Sequence, residues 1–280
     1  MSEKNWFYAA GIVWPLLVDA ASKRAKLSYS EIAPHIGTNP LSVGRALSPI
    51  QDYCLDSRLP PLTSIVVGKT TDRPGSGFIA WDVDDIDTAY KLVYDFNWNG
   101  IQNPYSGFGP TDTIDTLAEA LVAEPDKCRD VYTRVRVRGV AQVVFRKALL
   151  EAYGNKCAIC GLTFRDALEA SHIVPWQSAT KAQRLDPRNG ILLCSLHHKL
   201  FDAGLITVSG SMTIVYYDPI MKDHSYSAID KSLTVDLHGR MISLPMKKEL
   251  MPDVALLDVR NSQHGWIKSD SNLEMSKAPR

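Results

Sequence analysis

Four cysteine and histidine residues in the middle of the chain have the spacing of zinc ligands. Cys157 and Cys160 form a C-x2-C pair, and after a gap of 33 residues Cys194 and His197 form a C-x2-H pair. Four such ligands complete a tetrahedral site with no open position, as in structural zinc centres. We therefore predict a structural Zn²⁺ ion that holds together a region with little hydrophobic core of its own.

Three further side chains near these pairs could take part in hydrolytic chemistry. His172 and Asn189 lie within the gap, and His198 directly follows the fourth zinc ligand. Histidine can both move protons near neutral pH and bind metal ions. Two histidines and an asparagine are the residue set needed to cut a phosphodiester bond with one metal ion.

The composition is that of an ordinary globular protein, but the charge is unevenly distributed. The 280 residues suffice for two modest domains and carry zero net charge, so the overall charge does not indicate nucleic-acid binding. Residues 1–126 hold 9 Lys/Arg and 16 Asp/Glu, and residues 127–280 hold 22 and 15, giving net charges of −7 and +7. This difference suggests that the second half contacts a polyanion, although an uneven surface charge would give the same numbers.

Cysteine usage and hydropathy indicate a cytoplasmic protein. Five cysteines that include a C-x2-C pair suit metal binding in a reducing compartment better than a disulfide framework. Pro15 and Asp19 interrupt the apolar stretch from Trp6 to Ala21, which we interpret as an amphipathic helix and not as a signal peptide. No apolar run reaches membrane-spanning length, so we expect no membrane partner.

The N-terminal part has the pattern of a helix-turn-helix followed by a hairpin. We predict helices over 6–24 and 28–36, with Ser28 or Ser30 as the N-cap of the second. A third helix, capped by Asn39, is expected to direct Leu41, Val43, Leu47 and Ile50 inward. A strand over 62–67, a tight turn over 73–77 and a return strand over 78–81 would then form a wing.

This N-terminal segment resembles the winged-helix part of the DNA alkyltransferases and alkyltransferase-like proteins. The matching stretches are 29–33, 43–47, 60–61, 65–67 and 74–77. Those enzymes carry a nucleophilic cysteine before the Val-Val strand, where this chain has Leu62 to Ile65, so the resemblance implies duplex binding and not alkyl transfer. Arg45 is the candidate DNA contact, and a small helical domain that packs against the rest of the protein or a partner is the alternative.

A basic segment links the two halves. Residues 127–147 hold seven basic side chains and one acid, Asp130. The alternation over 131–138 predicts an extended segment with Arg134, Arg136 and Arg138 on one face, followed by a helix over 140–153 that carries Arg146. A row of guanidinium groups suits a phosphate backbone, and a solvated edge strand protected by its charge is the alternative.

The region around the candidate ligands has a strand–strand–helix order, with strands over 168–174 and 191–193 and a helix over 195–203. This region closely resembles the HNH endonucleases. The stretches that carry the resemblance are 145–146, 152–154, 157–161, 169–176, 189–194 and 197–205.

The resemblance implies a role for each candidate residue. His172 would be the general base that takes a proton from the attacking water, and Asn189 would tie the hairpin together and help to orient His172. His198 would hold a catalytic divalent cation, Mg²⁺ or Mn²⁺, against the scissile phosphate. Counting back from the Leu-Phe-Asp sequence at 200–202 gives His198 the catalytic position and His197 the zinc position.

The chain departs from the family pattern beside the base. Many members place Asp or His immediately before the base, but this chain has Ser171. Either Ser171 with water completes the catalytic metal site, or Glu169 or Asp202 contributes. Asp202 lies one helical turn after His198, and we expect it to support His198 without binding the ion itself.

The expected fold class is α+β. It comprises a winged helix-turn-helix-like DNA-binding domain over 1–105, a connector over 106–130, an HNH ββα-metal nuclease domain with structural zinc over 131–265, and a polar tail over 266–280. Within the nuclease domain we predict a β-hairpin over 205–217.

The function expected from this resemblance is metal-dependent cleavage of duplex DNA by a restriction or other defence nuclease, including the modification-dependent ones. One active site cuts one strand, so a double-strand break calls for a homodimer or two encounters. A zinc-dependent DNA-binding regulator without catalysis is one alternative. A nuclease effector whose N-terminal domain senses a ligand other than DNA is another.

Overall fold

A computed structural model describes residues 4–135, 137–223, 225–269 and 272–275. The described residues form the helices α1 (Trp6–Ser22), α2 (Tyr29–Ile32), α3 (Gly44–Asp56), α4 (Ile86–Asp95), α5 (Ile114–Ala123), α6 (Cys128–Arg134), α7 (Arg138–Ala152), α8 (Ser195–Asp202), α9 (Ala228–Leu233) and α10 (Val254–Gln263). The strands are β1 (Leu27–Ser28), β2 (Val66–Val67), β3 (Leu168–His172), β4 (Gly190–Cys194), β5 (Ile206–Val208), β6 (Ile214–Tyr216), β7 (Trp266–Ser269) and β8 (Asn272–Met275). The predicted mixture of helices and short strands is confirmed. Among these described residues, no helix combines the length and the apolar character needed to cross a membrane.

The chain divides into two compact units. The first comprises Met1–Thr116 and Thr133–Ala141, and the second comprises Leu117–Tyr132 and Gln142–Arg280. In the first unit, the buried face of α1, which includes Val13, Trp14 and Leu17, packs against α3. The Asn5 side chain begins α1 by accepting hydrogen bonds from two backbone N–H groups of its first turn.

The helix caps of the first unit follow local sequence signals. Ser28 and Glu31 form a reciprocal capping box at the start of α2. Gly37, with φ of +57°, ends the 3₁₀ turn Ala33–Ile36, and the Asn39 side chain caps the 3₁₀ turn Pro40–Ser42 before α3. The prediction that Leu41 points inward is wrong, because this residue is 97% exposed in that turn, outside the helical register of α3.

A wing is not confirmed in the first unit. Leu62–Ile65 form a 3₁₀ turn, and only Val66–Val67 are extended, in parallel pairing with β1. Residues 78–81, which lie within the described range 4–135, do not form the predicted return strand. A side chain satisfies this backbone in place of a partner strand, because Gln51 accepts a hydrogen bond from Ile79 N at 3.1 Å and donates one to Gly77 O at 3.4 Å.

The prediction of an extended segment over 131–138 is also wrong. Helix α6 ends at Arg134 and α7 begins at Arg138, so the arginines do not share one strand face. Three valines of this segment are buried, namely Val131, Val135 and Val137. They lie at the end of α6 and in the connection to α7, and their burial explains the alternation in the sequence. Arg136 lies outside the described residues.

The second unit contains the strand–strand–helix arrangement. Strands β3 and β4 pair antiparallel, with Leu168 opposite Cys194 and His172 opposite Gly190, and α8 follows β4 directly. A Cβ atom on Gly190 would lie 2.5 Å from Phe145 Cζ on α7. Glycine at this position therefore allows α7 to pack closely against the hairpin.

The C-terminal part of the second unit is more ordered than the sequence suggested. Strands β5 and β6 form the hairpin predicted over 205–217. The prediction that 266–280 is only a polar tail is wrong for its first residues, because β7 pairs antiparallel with β8. Trp266 and Leu273 pack with Val215 in a hydrophobic cluster, and burial of these two apolar side chains stabilises the hairpin.

Candidate metal centre and active site

Two local structures bring the four zinc-ligand residues together. At Cys157 the chain makes a tight turn in which Cys157 N donates to Leu162 O and Gly161 N donates to Cys157 O, both at 2.9 Å. Gly161 has φ of +76°, which glycine adopts without strain. Cys194 ends β4 and His197 lies in the first turn of α8, so the end of the hairpin and the start of the helix supply the other pair.

The four side chains form a group that could hold a metal ion such as zinc. The Sγ atoms of Cys157, Cys160 and Cys194 and a ring nitrogen of His197 all lie within 4.8 Å of one another. His197 Nδ1 is 3.1 Å from Cys194 Sγ, and His197 Nε2 donates to Leu233 O at 2.9 Å. That donation leaves Nδ1 as the ligand atom, as in many metal-bound histidines. The predicted four-residue metal group is confirmed.

The protonation states of these groups are linked. Burial works against a charged His197 ring, but hydrogen bonds with Cys157 and Cys194 raise the pKa of His197 to about 10. Hydrogen bonds from Cys160 and Cys194 hold the pKa of Cys157 far below its usual range. A metal ion that binds here displaces protons, so metal affinity should fall as the pH falls.

His172 is held in one orientation at the end of β3. Its Nε2 atom donates to Arg184 O at 3.0 Å, and its ring stacks on Phe145 with centroids 4.1 Å apart and an angle of 13° between planes. Trp176 presents an edge to the same ring at 5.9 Å. With the proton on Nε2, Nδ1 is the nitrogen that can accept a proton from water.

The carbonyl that orients His172 belongs to a residue whose side chain is itself anchored. Arg184 Nη1 donates to the Tyr132 hydroxyl at 2.7 Å, and Arg184 Nε donates to Trp176 O at 3.1 Å. Its guanidinium also lies over the rings of Trp176 and Tyr132, at 5.2 and 5.7 Å from their centroids. Sequence reasoning missed Arg184 and Tyr132, which lie 52 positions apart and share no recognisable pattern.

Asn189 is fully buried and joins the two ends of the loop between the strands. Its Oδ1 atom accepts from Val174 N at 2.8 Å, and its Nδ2 atom donates to Val174 O at 3.2 Å and to Gln183 O at 3.0 Å. Gln183 immediately precedes Arg184, the acceptor for His172. The Asn189 amide therefore fixes the loop that positions the candidate base.

His198 lies on α8 with a carboxylate at each ring nitrogen. Nδ1 contacts Glu169 Oε2 on β3, and Nε2 lies 3.3 Å from Asp202 Oδ2 one turn further along the helix. A hydrogen bond from Ser195, and then the contacts with His198, lower the pKa of Glu169 and keep it ionised. The sequence did not decide whether Glu169 contributes beside His198. The family pattern, which has Asp or His at position 171, gave no indication of this contact.

Ser171, the residue before the candidate base, is completely buried. Its hydroxyl has no hydrogen-bond partner among the described residues. Strand alternation directs it away from the side that His172 faces.

The candidate DNA-contacting arginines differ in their surroundings. Arg134 forms an ion pair with Asp112 at 2.8 Å, and Arg146 donates to the backbone of Leu168 at 3.0 Å, so both hold the fold together. Arg45 is exposed on α3 with its guanidinium 5.7 Å from the centroid of a Trp6 ring, and Arg138 is exposed at the start of α7.

Comparison with known proteins bears on the second unit. Residues 157–209 match the family model of the HNH endonucleases, which confirms the resemblance over the segment that contains His172, Asn189 and His198. Comparison with curated proteins gives no match. The domain match supports nuclease activity in general and implies contact with DNA.

Proposed function

We propose that this chain is a metal-dependent endonuclease that hydrolyses phosphodiester bonds of duplex DNA. The observation that carries the proposal is the fixed orientation of His172, whose Nε2–H group donates to Arg184 O at 3.0 Å. With its proton on Nε2, His172 has Nδ1 as its unprotonated ring nitrogen, and it lies on the hairpin of a ββα unit that matches the HNH endonuclease model.

In the proposed reaction, His172 Nδ1 takes a proton from a water molecule while the water oxygen attacks phosphorus. The bond from phosphorus to the 3′ oxygen breaks, and that oxygen takes a proton from solvent. A divalent cation such as Mg²⁺ or Mn²⁺, held beside His198, would neutralise charge on the phosphate and on the leaving oxygen. Asn189 keeps the Arg184 carbonyl in place and does not contact DNA.

The zinc group is proposed to be structural. It joins the turn at Cys157 to the junction of β4 and α8, the helix that carries His198. A site with four protein ligands leaves no position for water or phosphate. Zinc would therefore shape the active site without taking part in the reaction.

Duplex DNA is proposed to contact the basic part of the chain. The candidates for phosphate contacts are Arg45, Arg134, Arg136, Arg138 and Arg146, and of these Arg134 is paired with Asp112 and Arg146 donates to Leu168 O. The first unit would position DNA, and a homodimer would cut both strands. We assign the activity to a cytoplasmic restriction or other defence role, including cleavage that depends on DNA modification.

The test is cleavage of plasmid DNA by the purified, zinc-loaded chain. Unmodified and variously modified plasmids are incubated with Mg²⁺ or Mn²⁺, and the ends are sequenced. Nicked or linear products that require the added ion are expected. Intact plasmid under every condition, with DNA binding retained, would instead support a zinc-dependent DNA-binding regulator.

A further inference from the structure

The ligand that accompanies His198 at the candidate catalytic site can be assigned from the surroundings of its ring. Three oxygen-bearing side chains are candidates, namely Ser171, Glu169 and Asp202. Each has a different relation to His198.

Ser171 is removed from the solvent-accessible side of the hairpin. Its relative exposure is 0%, and it lies within β3 opposite Ile191. An ion that arrives from solvent cannot contact a hydroxyl that has no exposed surface in this arrangement. We therefore exclude Ser171 as a ligand.

Glu169 makes the closer of the two carboxylate contacts with the His198 ring, at Nδ1, and this contact favours the tautomer with its proton on Nδ1. Its Oε2 atom contacts Nδ1. An imidazole nitrogen that donates its N–H group to a carboxylate has no lone pair for a metal ion. A carboxylate bonded in this way orients the ring and makes the opposite nitrogen a better ligand.

Asp202 occupies the other side of the ring. Its Oδ2 atom lies 3.3 Å from His198 Nε2, and its side chain is 58% exposed. Spacing of four residues on α8 places the two side chains on the same face of the helix. A cation could therefore reach both atoms from solvent without any rearrangement of the hairpin.

The two carboxylates do not converge on one point. Among the described residues, the cysteine–histidine group is the only set of three or more potential ligands within 4.8 Å of one another. Glu169 contacts Nδ1 and Asp202 lies beside Nε2, so the two carboxylates face different nitrogens of the His198 ring and their roles differ.

We propose that His198 Nε2 and Asp202 Oδ2 together bind the catalytic cation and that Glu169 is a positioning residue for His198. This assignment rests on the proposed nuclease function, because that function gives the bound cation its catalytic role. It replaces the expectation that Asp202 supports His198 without binding the ion.

The test is Mn²⁺ binding by the zinc-loaded full chain, measured by calorimetry and by the electron paramagnetic resonance signal of free Mn²⁺. Asp202→Asn should weaken Mn²⁺ binding by about tenfold or more, because a ligand charge is lost. Glu169→Ala should weaken it by about tenfold through loss of ring orientation, and Glu169→Gln should restore it to within about threefold of wild type. The glutamine oxygen can still accept the Nδ1–H group, whereas it would not replace a charged ligand.

Asp236→Asn is the matched control, because it removes the same charge from an exposed position of the second unit. Zinc content and thermal unfolding of each variant show whether the fold is kept. A larger loss in Glu169→Gln than in Asp202→Asn, equal losses in the two, or no Mn²⁺ binding by wild type would overturn the assignment.

Metal binding separates this assignment from the proposed function. If Asp202→Asn loses Mn²⁺ but wild type never cuts DNA, the ligand assignment stands and the nuclease function fails. If wild type cuts DNA and Asp202→Asn binds Mn²⁺ normally, the nuclease function stands and the ligand assignment fails.

Discussion

The Nε2 atom of His172 lies 3.0 Å from the carbonyl oxygen of Arg184, and this hydrogen bond decides which ring nitrogen carries the proton. The acceptor is a backbone group, so its position depends on the loop between β3 and β4. Asn189 and the Arg184 side chain both hold that loop. The orientation of this candidate base therefore depends on the structure of the loop and not on a partner side chain.

Removal of the candidate base should abolish cleavage without unfolding the protein. His172→Ala is expected to reduce the single-turnover cleavage rate by about 10²–10⁴-fold, the usual contribution of a general base. Zinc content and DNA affinity should be unchanged. His35→Ala, at an exposed histidine of the first unit, is the control and should cleave like wild type. A His172→Ala variant with normal cleavage would show that another group activates water.

Loss of the Asn189 amide should damage both stability and cleavage. Asn189→Ala leaves the N–H and C=O groups of Val174 and the C=O of Gln183 without their partner in a buried site. Each unpaired buried group costs about 1–3 kcal/mol, so a clear fall in the urea midpoint is expected, together with slower cleavage.

Asn99→Ala, at an exposed asparagine, should change the urea midpoint little. If Asn189→Ala unfolds at the wild-type urea concentration, the loop does not depend on this amide.

Removal of one zinc ligand should unfold the second unit. Cys160→Ser is expected to lose the bound zinc, measured by atomic absorption, and with it the near-ultraviolet circular dichroism of the second unit. Zinc binding contributes roughly 10–16 kcal/mol of apparent free energy in small zinc domains, and in this chain it would stabilise a short hairpin and helix. Strong chelators should have the same effect on wild type.

Cys128→Ser provides the comparison, because Cys128 is also buried but lies outside the metal group. Its Sγ atom donates to Ala182 O at 3.1 Å, a bond that a serine hydroxyl can also form. This variant should keep its zinc. A folded, zinc-free and active Cys160→Ser protein would contradict the structural role.

Substitution of an exposed arginine and substitution of Arg134, which is paired with Asp112, should have different effects on DNA binding. Arg45→Ala and Arg138→Ala are expected to weaken duplex binding of the full chain and to reduce its salt dependence by about one counterion each. Arg134→Ala should mainly lower the melting temperature, because it removes the partner of the buried Asp112. Fluorescence anisotropy at several salt concentrations measures the first effect.

Lys91→Ala, an exposed change on α4 near the acidic run, should leave DNA binding unaltered. Unchanged affinity and salt dependence in Arg45→Ala would favour a first unit that senses something other than DNA.

Sequence reasoning worked where structure is determined locally. The C-x2-C and C-x2-H pairs each form within one turn of chain, and the caps at Ser28 and Asn39 use side chains that bond within three residues. The order of β3, β4 and α8 followed from the same short-range signals. These elements were predictable because few distant contacts compete with them.

The errors arose where distant contacts decide the structure. The valines over 131–137 alternate like a strand, but they are buried at the end of α6 and in the connection to α7. The backbone N–H of Ile79 donates to the side chain of Gln51, which is 28 positions away, and does not pair with another strand. Glu169 meets His198 across 29 positions, so no local pattern could reveal which carboxylate faces which nitrogen.

In the proposed assignment, His197 and His198 bind different metal ions although one peptide unit joins them. Their Cα atoms lie about 3.8 Å apart, and successive side chains on a helix diverge by roughly 100°. Any rotation of α8 that moved His198 toward a larger or smaller cation would also pull His197 out of the zinc tetrahedron. In this assignment, substitutions at Asp202 and Glu169 would alter the choice of cation without disturbing zinc, whereas movement of the helix would disturb both metal ions.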